Sequence, residues 1–130
     1  MRLYRRLALL VLIAAPVSAQ SKTDARDVTV AAAKNVVAEN ENVTKVNLLD
    51  TTYARSVAAA VPAAELEARK PPRPFQAWLY KPVIRGDSAF VFVTQHTTYK
   101  EGPFTMGYRL TLVRRSGTWA VTHTEFGGIS

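Results

Sequence analysis

The first part of the chain carries apolar residues at helical spacing. Within residues 25–39, Val28, Ala32 and Val36 recur every fourth position, with Ala31 and Val37 beside them, which predicts an amphipathic helix. Thr23 or Asp24 can cap this helix, and an acidic residue near its amino end suits the helix dipole. We therefore predict one helix that buries a modest apolar stripe.

Shorter elements follow this helix. Residues 43–50 alternate imperfectly between apolar and polar side chains and predict a short strand, whereas residues 53–60 fit either helix or strand. Pro62 suits a first helical turn, and the strong helix formers behind it predict a second helix over residues 62–69. Three prolines within residues 70–74 then predict a stiff extended connector.

Beyond the connector, the pattern changes to runs rich in β-branched and aromatic residues. The runs are separated by glycine-containing turn signals, which predicts an antiparallel meander. Helices before strands indicate an α+β fold, in which N-terminal helices pack on a curved antiparallel sheet of four to five strands. The predicted strands are 75–84, 89–99, 108–115 and 119–126, and the turn signals are Gly86-Asp87, Gly102-Pro103 and Ser116-Gly117.

Residues 1–19 have the organisation of a cleavable signal peptide. Three arginines precede the nine-residue apolar run Leu7–Ala15, and Val17-Ser18-Ala19 places small residues where signal peptidases cut. The run is far shorter than the roughly 20 residues that a membrane-spanning helix needs. We therefore predict cleavage after Ala19, export to the periplasm or the medium, and a single α+β roll domain over residues 20–130 that does not span a membrane.

Charge and composition narrow the classes of function. Removal of the predicted leader takes three arginines and lowers the formal charge from +7 to +4, which is modest for a nucleic-acid-binding protein. The absence of cysteine excludes disulfide scaffolds, thiol nucleophiles and Cys-ligated zinc. No phosphate-binding or dinucleotide-binding glycine motif occurs. We expect no nucleic-acid partner, no metal and no cofactor.

Two stretches of the C-terminal half resemble the nuclear transport factor 2-like superfamily, the SnoaL-like or cystatin-like α+β roll. They are a Gly-Asp turn leading into a strand over residues 84–91 and a hairpin over residues 110–121, in which Gly117 and Trp119 form a Gly-x-Trp motif. The resemblance covers residues 76–126. It implies a cone-shaped sheet that can hold a pocket, in a group that contains isomerases, cyclases and non-catalytic exported domains. The short N-terminal region departs from the usual two leading helices.

Strand alternation singles out two titratable residues near the C terminus. Counting every second residue from Trp119 places His123 and Glu125 on the face that carries Trp119 and Val121. If that face lines a pocket, His123 and Glu125 are the best acid–base candidates in the chain. The alternative is that both lie at a strand end in solvent. Trp119 itself requires burial and a partner for its N–H, so we expect helix to cover this face.

Further side chains are candidates for the lining of a pocket. His96 shares a strand face with Phe90 and Phe92, and the apolar first half of that strand predicts a central strand covered on both faces. His96 itself fits either a ligand-facing position or a solvated strand end. The resemblance implies a carboxylate base of the ketosteroid isomerase type, for which Asp50 is a candidate; the alternative is a turn or cap residue. The predicted pocket residues are Trp78, Tyr80, His96, Tyr108 and Trp119.

A basic stretch interleaved with aromatic residues is the last candidate surface. No acidic residue lies between Glu67 and Asp87, and the aromatic side chains fit either an anionic-surface site or the core. The tripeptide Arg85-Gly86-Asp87 predicts a hairpin turn. The basic residues are Arg69, Lys70, Arg73, Lys81 and Arg85, and the aromatic residues are Phe75, Trp78 and Tyr80.

Two functions fit these observations. The first is an exported, non-enzymatic domain that binds a small molecule or a protein partner, with a homodimer through the sheet as one form of partner. The second is a small isomerase-like or cyclase-like enzyme that uses a His123/Glu125 pair in a closed apolar cavity. The inventory of polar residues is weak, which favours the binding domain.

Overall fold

The first described element of the chain is a long helix that supplies one layer of the core. The computed structural model describes residues 17–62 and 74–129, and its first element is helix α1, Val17–Glu39. The predicted stripe is buried, because Val28, Ala32 and Val36 are fully shielded from solvent. The helix ends where the Asn40 side-chain amide donates a hydrogen bond of 2.8 Å to the Val36 carbonyl.

Helix α1 begins earlier than the sequence pattern indicated. Asp24 was predicted at the amino-terminal end, but it lies inside the helix, more than a turn beyond Val17. Its carboxylate instead accepts hydrogen bonds from Arg114 and Trp119, which are about ninety positions away in the chain. A capping side chain accepts hydrogen bonds from the backbone N–H groups at the start of its own helix. The Asp24 carboxylate is instead occupied by its tertiary contact with Arg114 and Trp119.

The remainder of the fold is a mixed, open sheet of six strands, so the protein is α+β. The order is β1-β2-β4-β5-β6, and β3 also pairs with β4. All pairs are antiparallel except β1 with β2, which are parallel. The strands are β1 Val43–Leu48, β2 Phe75–Leu79, β3 Val83–Arg85, β4 Ser88–Tyr99, β5 Gly102–Arg115 and β6 Thr118–Ile129.

The sheet differs from the predicted antiparallel meander in three ways. The parallel β1–β2 pair is possible because the chain between Leu48 and Phe75 is long enough for a crossover connection. The predicted strand 75–84 is split into β2 and β3 around Pro82, which cannot donate a ladder hydrogen bond. Strand β5 begins at Gly102, so the turn before it lies at residues 100–101.

Two short helical elements follow β1, at the start of the crossover connection that leads to β2. A 3-10 turn, Thr51–Tyr53, leads into helix α2, Ala54–Ala60, whose Val57 is buried against the core. Residues 53–60, which fitted either helix or strand, are thus mainly helical. The predicted helix over residues 62–69, the proline connector over 70–74 and the signal peptide over 1–19 fall almost wholly outside the described residues.

The two faces of the sheet differ in burial. One face, which we call the inner face, packs against helix α1, and its β4 side chains Ala89, Val91, Val93 and Gln95 are buried. The opposite, outer face has no helix on it in the part of the chain described, and Phe92 there is 47% exposed. The prediction that β4 is covered on both faces is therefore wrong. Alternating burial along β4 shows a strand covered on one side only.

The predicted hairpin between β5 and β6 is confirmed. Ser116 and Gly117 have φ angles of 53° and 78°, the pair of positive values that a type I′ turn requires. This turn sets the register in which Arg114 pairs with Trp119 on the inner face. Trp119 is buried at 6% exposure, as predicted.

Candidate functional site

A β-bulge near the start of β6 changes the face on which the acid–base candidates lie. Leu112 pairs with Val121, but the neighbouring Thr111 pairs with His123, so Thr122 is an extra residue in β6. Such an insertion reverses the alternation of side chains beyond it. His123 therefore lies on the outer face, opposite to Trp119. The prediction that His123 and Glu125 share a sheet face with Trp119 is therefore wrong.

Glu125 has a specific partner on the outer face. It pairs with Arg109 in the sheet, and the Arg109 Nη2 donates a hydrogen bond of 2.6 Å to Glu125 Oε2. Both side chains of this ion pair are more than one-third exposed, and His123 is exposed as well. The geometry thus gives Glu125 a cationic partner other than His123, and it places both candidates in solvent.

The five predicted pocket residues do not share one pocket. Tyr108 and Trp119 are each 6% exposed and belong to the inner-face core. Trp78 and His96 lie on the outer face, where Trp78 pairs with Thr94, the outer-face residue two positions before His96. Tyr80 follows β2 and is 42% exposed beside Phe92. The sheet separates Trp119 from the outer-face residues, whereas Tyr80 and Tyr108 both border one groove.

The inner-face tyrosine belongs to a buried polar cluster. Gln95, which is 2% exposed, donates from its amide nitrogen to the Tyr108 hydroxyl at 2.7 Å. Burial raises the pKa of Tyr108, and its hydrogen bonds with Gln95 and Asn40 only partly oppose that shift. The hydroxyl is therefore neutral and structural, because it satisfies a buried amide.

The inner-face tryptophan is held by a second polar cluster. The Trp119 indole N–H donates to Asp24 Oδ1 at 3.1 Å, and Arg114 Nη1 donates to both oxygens of Asp24 at 2.9 Å. Arg114 also donates to Asp87 in the β3–β4 turn, and the Asp87 hydrogen bond is the main cause of its raised pKa. This cluster joins helix α1 to two hairpins.

The outer face carries a groove, which we call the apolar groove, of about 610 Å³. Tyr80 and Phe92 supply two of its aromatic side chains, and Gly107 and Gly127 leave its floor without side chains. Its remaining lining residues are Val93, Thr94, Tyr108, Arg109, Glu125 and Phe126. A Cβ added at Gly107 would meet only the Val93 carbonyl oxygen, at 4.0 Å. The floor is therefore open at Gly107, whereas a Cβ at Gly127 would contact the Gly107 carbonyl oxygen at 3.4 Å.

Arg109 forms the polar end of the apolar groove. Its guanidinium carbon lies 4.8 Å from the centre of the Phe90 ring, a cation–π distance. With the Phe90 ring on one side and Glu125 as its ion-pair partner, the guanidinium is held in place before any ligand arrives. A fixed arginine beside exposed aromatic rings can orient a ligand through hydrogen bonds.

A second groove, which we call the polar groove, lies beside the first and has a volume of about 420 Å³. His96 is fixed within it, because its Nδ1 lies 3.0 Å from the Thr105 hydroxyl and its Nε2 lies 3.1 Å from the Thr94 hydroxyl. The lining residues are Pro74, Gln76, Trp78, His96, Thr97, Thr98, Tyr99 and Pro103. The two predicted alternatives for His96 were a ligand-facing position and a solvated strand end. The structure places His96 at an exposed position that lines a groove.

The predicted basic surface is divided in the structure. Lys81 and Arg85 are exposed, whereas Phe75 is buried in the inner core, away from Tyr80. Arg69, Lys70 and Arg73 lie outside the described residues. Among the described residues, buried Phe75 is therefore not part of a continuous platform with Lys81 and Arg85.

The other sequence candidates have structural partners. Asp50 caps the 3-10 turn, and its hydrogen bonds from the Thr52 hydroxyl and backbone N–H lower its carboxyl pKa. Gly86 and Asp87 form the β3–β4 turn, as predicted, and Gly86 has a φ of 60°. Within residues 17–62 and 74–129, no group of three acidic or histidine side chains could hold a metal ion.

Sequence reasoning named three of the residues that line the apolar groove, Tyr80, Tyr108 and Glu125, but missed the others. Phe92 was predicted to lie on a covered face, and no prediction included Gly107, Arg109 or Gly127. The signal that could have revealed these residues lies on β5. Opposite Phe92 and Thr94, β5 has Arg109 and Gly107, whereas a sheet face that is covered by another layer would have apolar residues there.

Comparison with known proteins supplies no family for this chain. No protein-family model matches it, and no curated protein matches it in sequence. In the part of the chain that the structure covers, no helix combines the length and the apolar character needed to cross a lipid bilayer.

Proposed function

We propose that this protein is an exported, non-enzymatic domain that binds a small, mainly apolar molecule in the apolar groove of its outer sheet face. The observation that carries the proposal is the groove itself, with exposed Phe92 and Tyr80 beside a glycine floor. Exposed aromatic side chains in a concave site are typical of ligand-binding surfaces. A volume of about 610 Å³ lies within the usual range for small-molecule sites.

The polar chemistry of the groove fits binding better than catalysis. An acid–base mechanism needs a titratable pair held together in a water-excluding site. His123 is exposed, and Glu125 is engaged by Arg109 at 2.6 Å. The same Arg109 can instead donate to an acceptor on a bound ligand, while Phe92 contacts its apolar body.

Export and family membership are part of this proposal. The arrangement of residues 1–19 supports export, and N-terminal sequencing of protein from the secreted or periplasmic fraction tests it, with Gln20 expected first. The Gly-Asp strand start and the Gly-x-Trp hairpin support membership of the nuclear transport factor 2-like superfamily. The order of helices before strands supports it as well.

The test uses substitutions that fill the groove without straining the backbone. Gly107→Leu places a side chain on the groove floor, where only a backbone oxygen lies near. Ala120→Leu is the matched control, because Ala120 is exposed on the outer face but does not line the groove. The probe is anilinonaphthalene sulfonate, a fluorescent aromatic anion, and circular dichroism verifies that each variant is folded.

We expect the wild-type protein and Ala120→Leu to bind the probe with similar affinity and Gly107→Leu to bind at least about tenfold more weakly. Equal affinity for all three proteins would contradict the proposal. Sedimentation experiments provide a second readout. If the wild type is a dimer and Gly107→Leu is a monomer, the outer face is a homodimer interface rather than a small-molecule site.

A further inference from the structure

The apolar groove and the polar groove adjoin on one sheet face. Thr94 lines the first and His96 lines the second, and these residues are two positions apart on β4. Residues two apart on a strand point to the same face and are separated by about 7 Å. Trp78, which lines the polar groove, is paired with Thr94 across the sheet. One ligand of ordinary size can therefore contact both grooves.

The two grooves differ in chemistry. The apolar groove has aromatic walls, whereas the polar groove combines aromatic rings with amide and hydroxyl groups. Among its described lining residues, the polar groove has no lysine, arginine, aspartate or glutamate. A groove without fixed charge favours an uncharged partner, because a charged group would lose hydration without gaining a counter-charge.

The side chains of the polar groove suit a hydroxyl-bearing group. Both ring nitrogens of His96 lie within hydrogen-bond distance of threonine hydroxyls, so the orientation of the imidazole ring is fixed. Trp78 is half-buried and offers a second flat ring. Gln76 is exposed; its amide oxygen accepts from the Asn47 amide at 3.3 Å, and its amide nitrogen can donate to a ligand. Flat rings bind C–H surfaces, and amides bind hydroxyl groups.

We infer that the two grooves form one site for an amphipathic ligand, whose apolar body lies in the apolar groove and whose uncharged, hydroxyl-rich head group lies in the polar groove. This inference rests on the proposed function, because it assigns a second contact to the same ligand. It identifies the ligand class as an amphiphile with a sugar-like or polyol head group.

The experiment compares three probes that share one octyl chain: octanol, octyl glucoside and octyl phosphate. Octyl glucoside and octyl phosphate are used below their critical micelle concentrations, and octanol is used below its solubility limit. Each probe displaces anilinonaphthalene sulfonate from the full-length protein, and two-dimensional amide NMR locates the contacts. The diagnostic variant is Gln76→Ala, at an exposed position in the polar groove. Thr118→Ala is the matched control, because Thr118 is exposed on the outer face and lines neither groove.

We expect octyl glucoside to bind about tenfold more tightly than octanol, which corresponds to one or two net hydrogen bonds. Gln76→Ala should remove most of this preference without weakening octanol, and Thr118→Ala should change neither. Amide signals of both grooves should shift with the glucoside, whereas octanol should shift only those of the apolar groove.

Failures of the two proposals are distinguishable. If octanol binds in the wild type and not in Gly107→Leu, but the glucoside binds no more tightly, the amphiphile inference is overturned and the proposed function stands. Preference for octyl phosphate over octyl glucoside also overturns the inference, because it requires a charged head group. If no probe depends on Gly107, the proposed function itself fails.

Discussion

Asp24 is the residue whose loss should most clearly weaken the contact between helix α1 and the sheet. Its carboxylate accepts the Trp119 indole N–H and two hydrogen bonds from Arg114, and its side chain is only 14% exposed. We predict that Asp24→Ala substantially lowers the free energy of unfolding, although it removes no apolar contact of the core.

The magnitude follows from the groups that lose a partner. The buried Trp119 N–H would remain without an acceptor, and a buried unsatisfied donor costs about 1–3 kcal/mol. Arg114 would keep Asp87 as its partner, so its charge would not be left unpaired. We therefore expect a loss of about 2–3 kcal/mol, below the larger cost of stranding a buried charge. For a domain of this size, that loss corresponds to about 7–13 °C in Tm.

The assay is thermal unfolding followed by circular dichroism, with Asp27→Ala as the matched control. Asp27 lies on the same helix and pairs with Arg26, but the Asp27 side chain is 41% exposed. Both substitutions give the same gain in helix propensity, so their difference isolates the Asp24 contacts. An exposed pair is worth less than about 1 kcal/mol, so Asp27→Ala should shift Tm only slightly. If Asp24→Ala and Asp27→Ala unfold at the same temperature, the cluster does not hold the helix to the sheet.

Three further predictions follow from local geometry. Burial raises the pKa of Tyr108, so its hydroxyl should ionise above pH 10 in the folded protein. The free energy of unfolding should therefore fall as the pH rises above the ordinary tyrosine pKa and through the pKa of Tyr108 in the folded protein. Ultraviolet titration of tyrosinate should show this late step in the wild type and lose it in Tyr108→Phe; an early Tyr108 step would contradict its burial. Hydrogen bonds from Thr52 lower the pKa of Asp50. The contribution of Asp50 to stability should therefore be present above the ordinary carboxyl pKa near pH 4 and be lost as the pH falls through the Asp50 pKa of the folded protein. NMR titration should give a higher Asp50 pKa in Thr52→Val, and an unchanged value would show that the hydroxyl bond has no influence. Gly117→Val should cost about 1–2 kcal/mol because Gly117 has a φ of 78°, whereas Ala120→Val on β6 should cost little; equal melting temperatures would argue against the type I′ turn.

The sequence correctly predicted those features that depend on neighbours along the chain. The stripe of Val28, Ala32 and Val36 indicated a helix and its buried face, because helical periodicity places every fourth residue on one side. The Ser116-Gly117 dipeptide indicated the hairpin that follows β5, because its backbone tolerates positive φ. Burial of Trp119 with a partner for its N–H also followed from its chemistry alone.

The candidate site depended on pairing between strands, which the sequence pattern does not encode. Alternation counted from Trp119 gave the wrong face for His123 and Glu125, because the extra residue Thr122 interrupts it. Likewise, Phe92 has the character of a core residue, and only the absence of a packed layer over the described outer face makes it exposed.

Local sequence thus determined most of helix α1 with its buried side, the positions of most strands and the tight turn after β5. The tertiary structure decided that β1 and β2 run parallel, that Asp24 contacts Trp119 rather than caps its helix, and that two grooves adjoin on the outer face. The reason is physical. Periodicity and turn chemistry act over a few residues, whereas strand register and face coverage arise from contacts between segments that are distant in the chain.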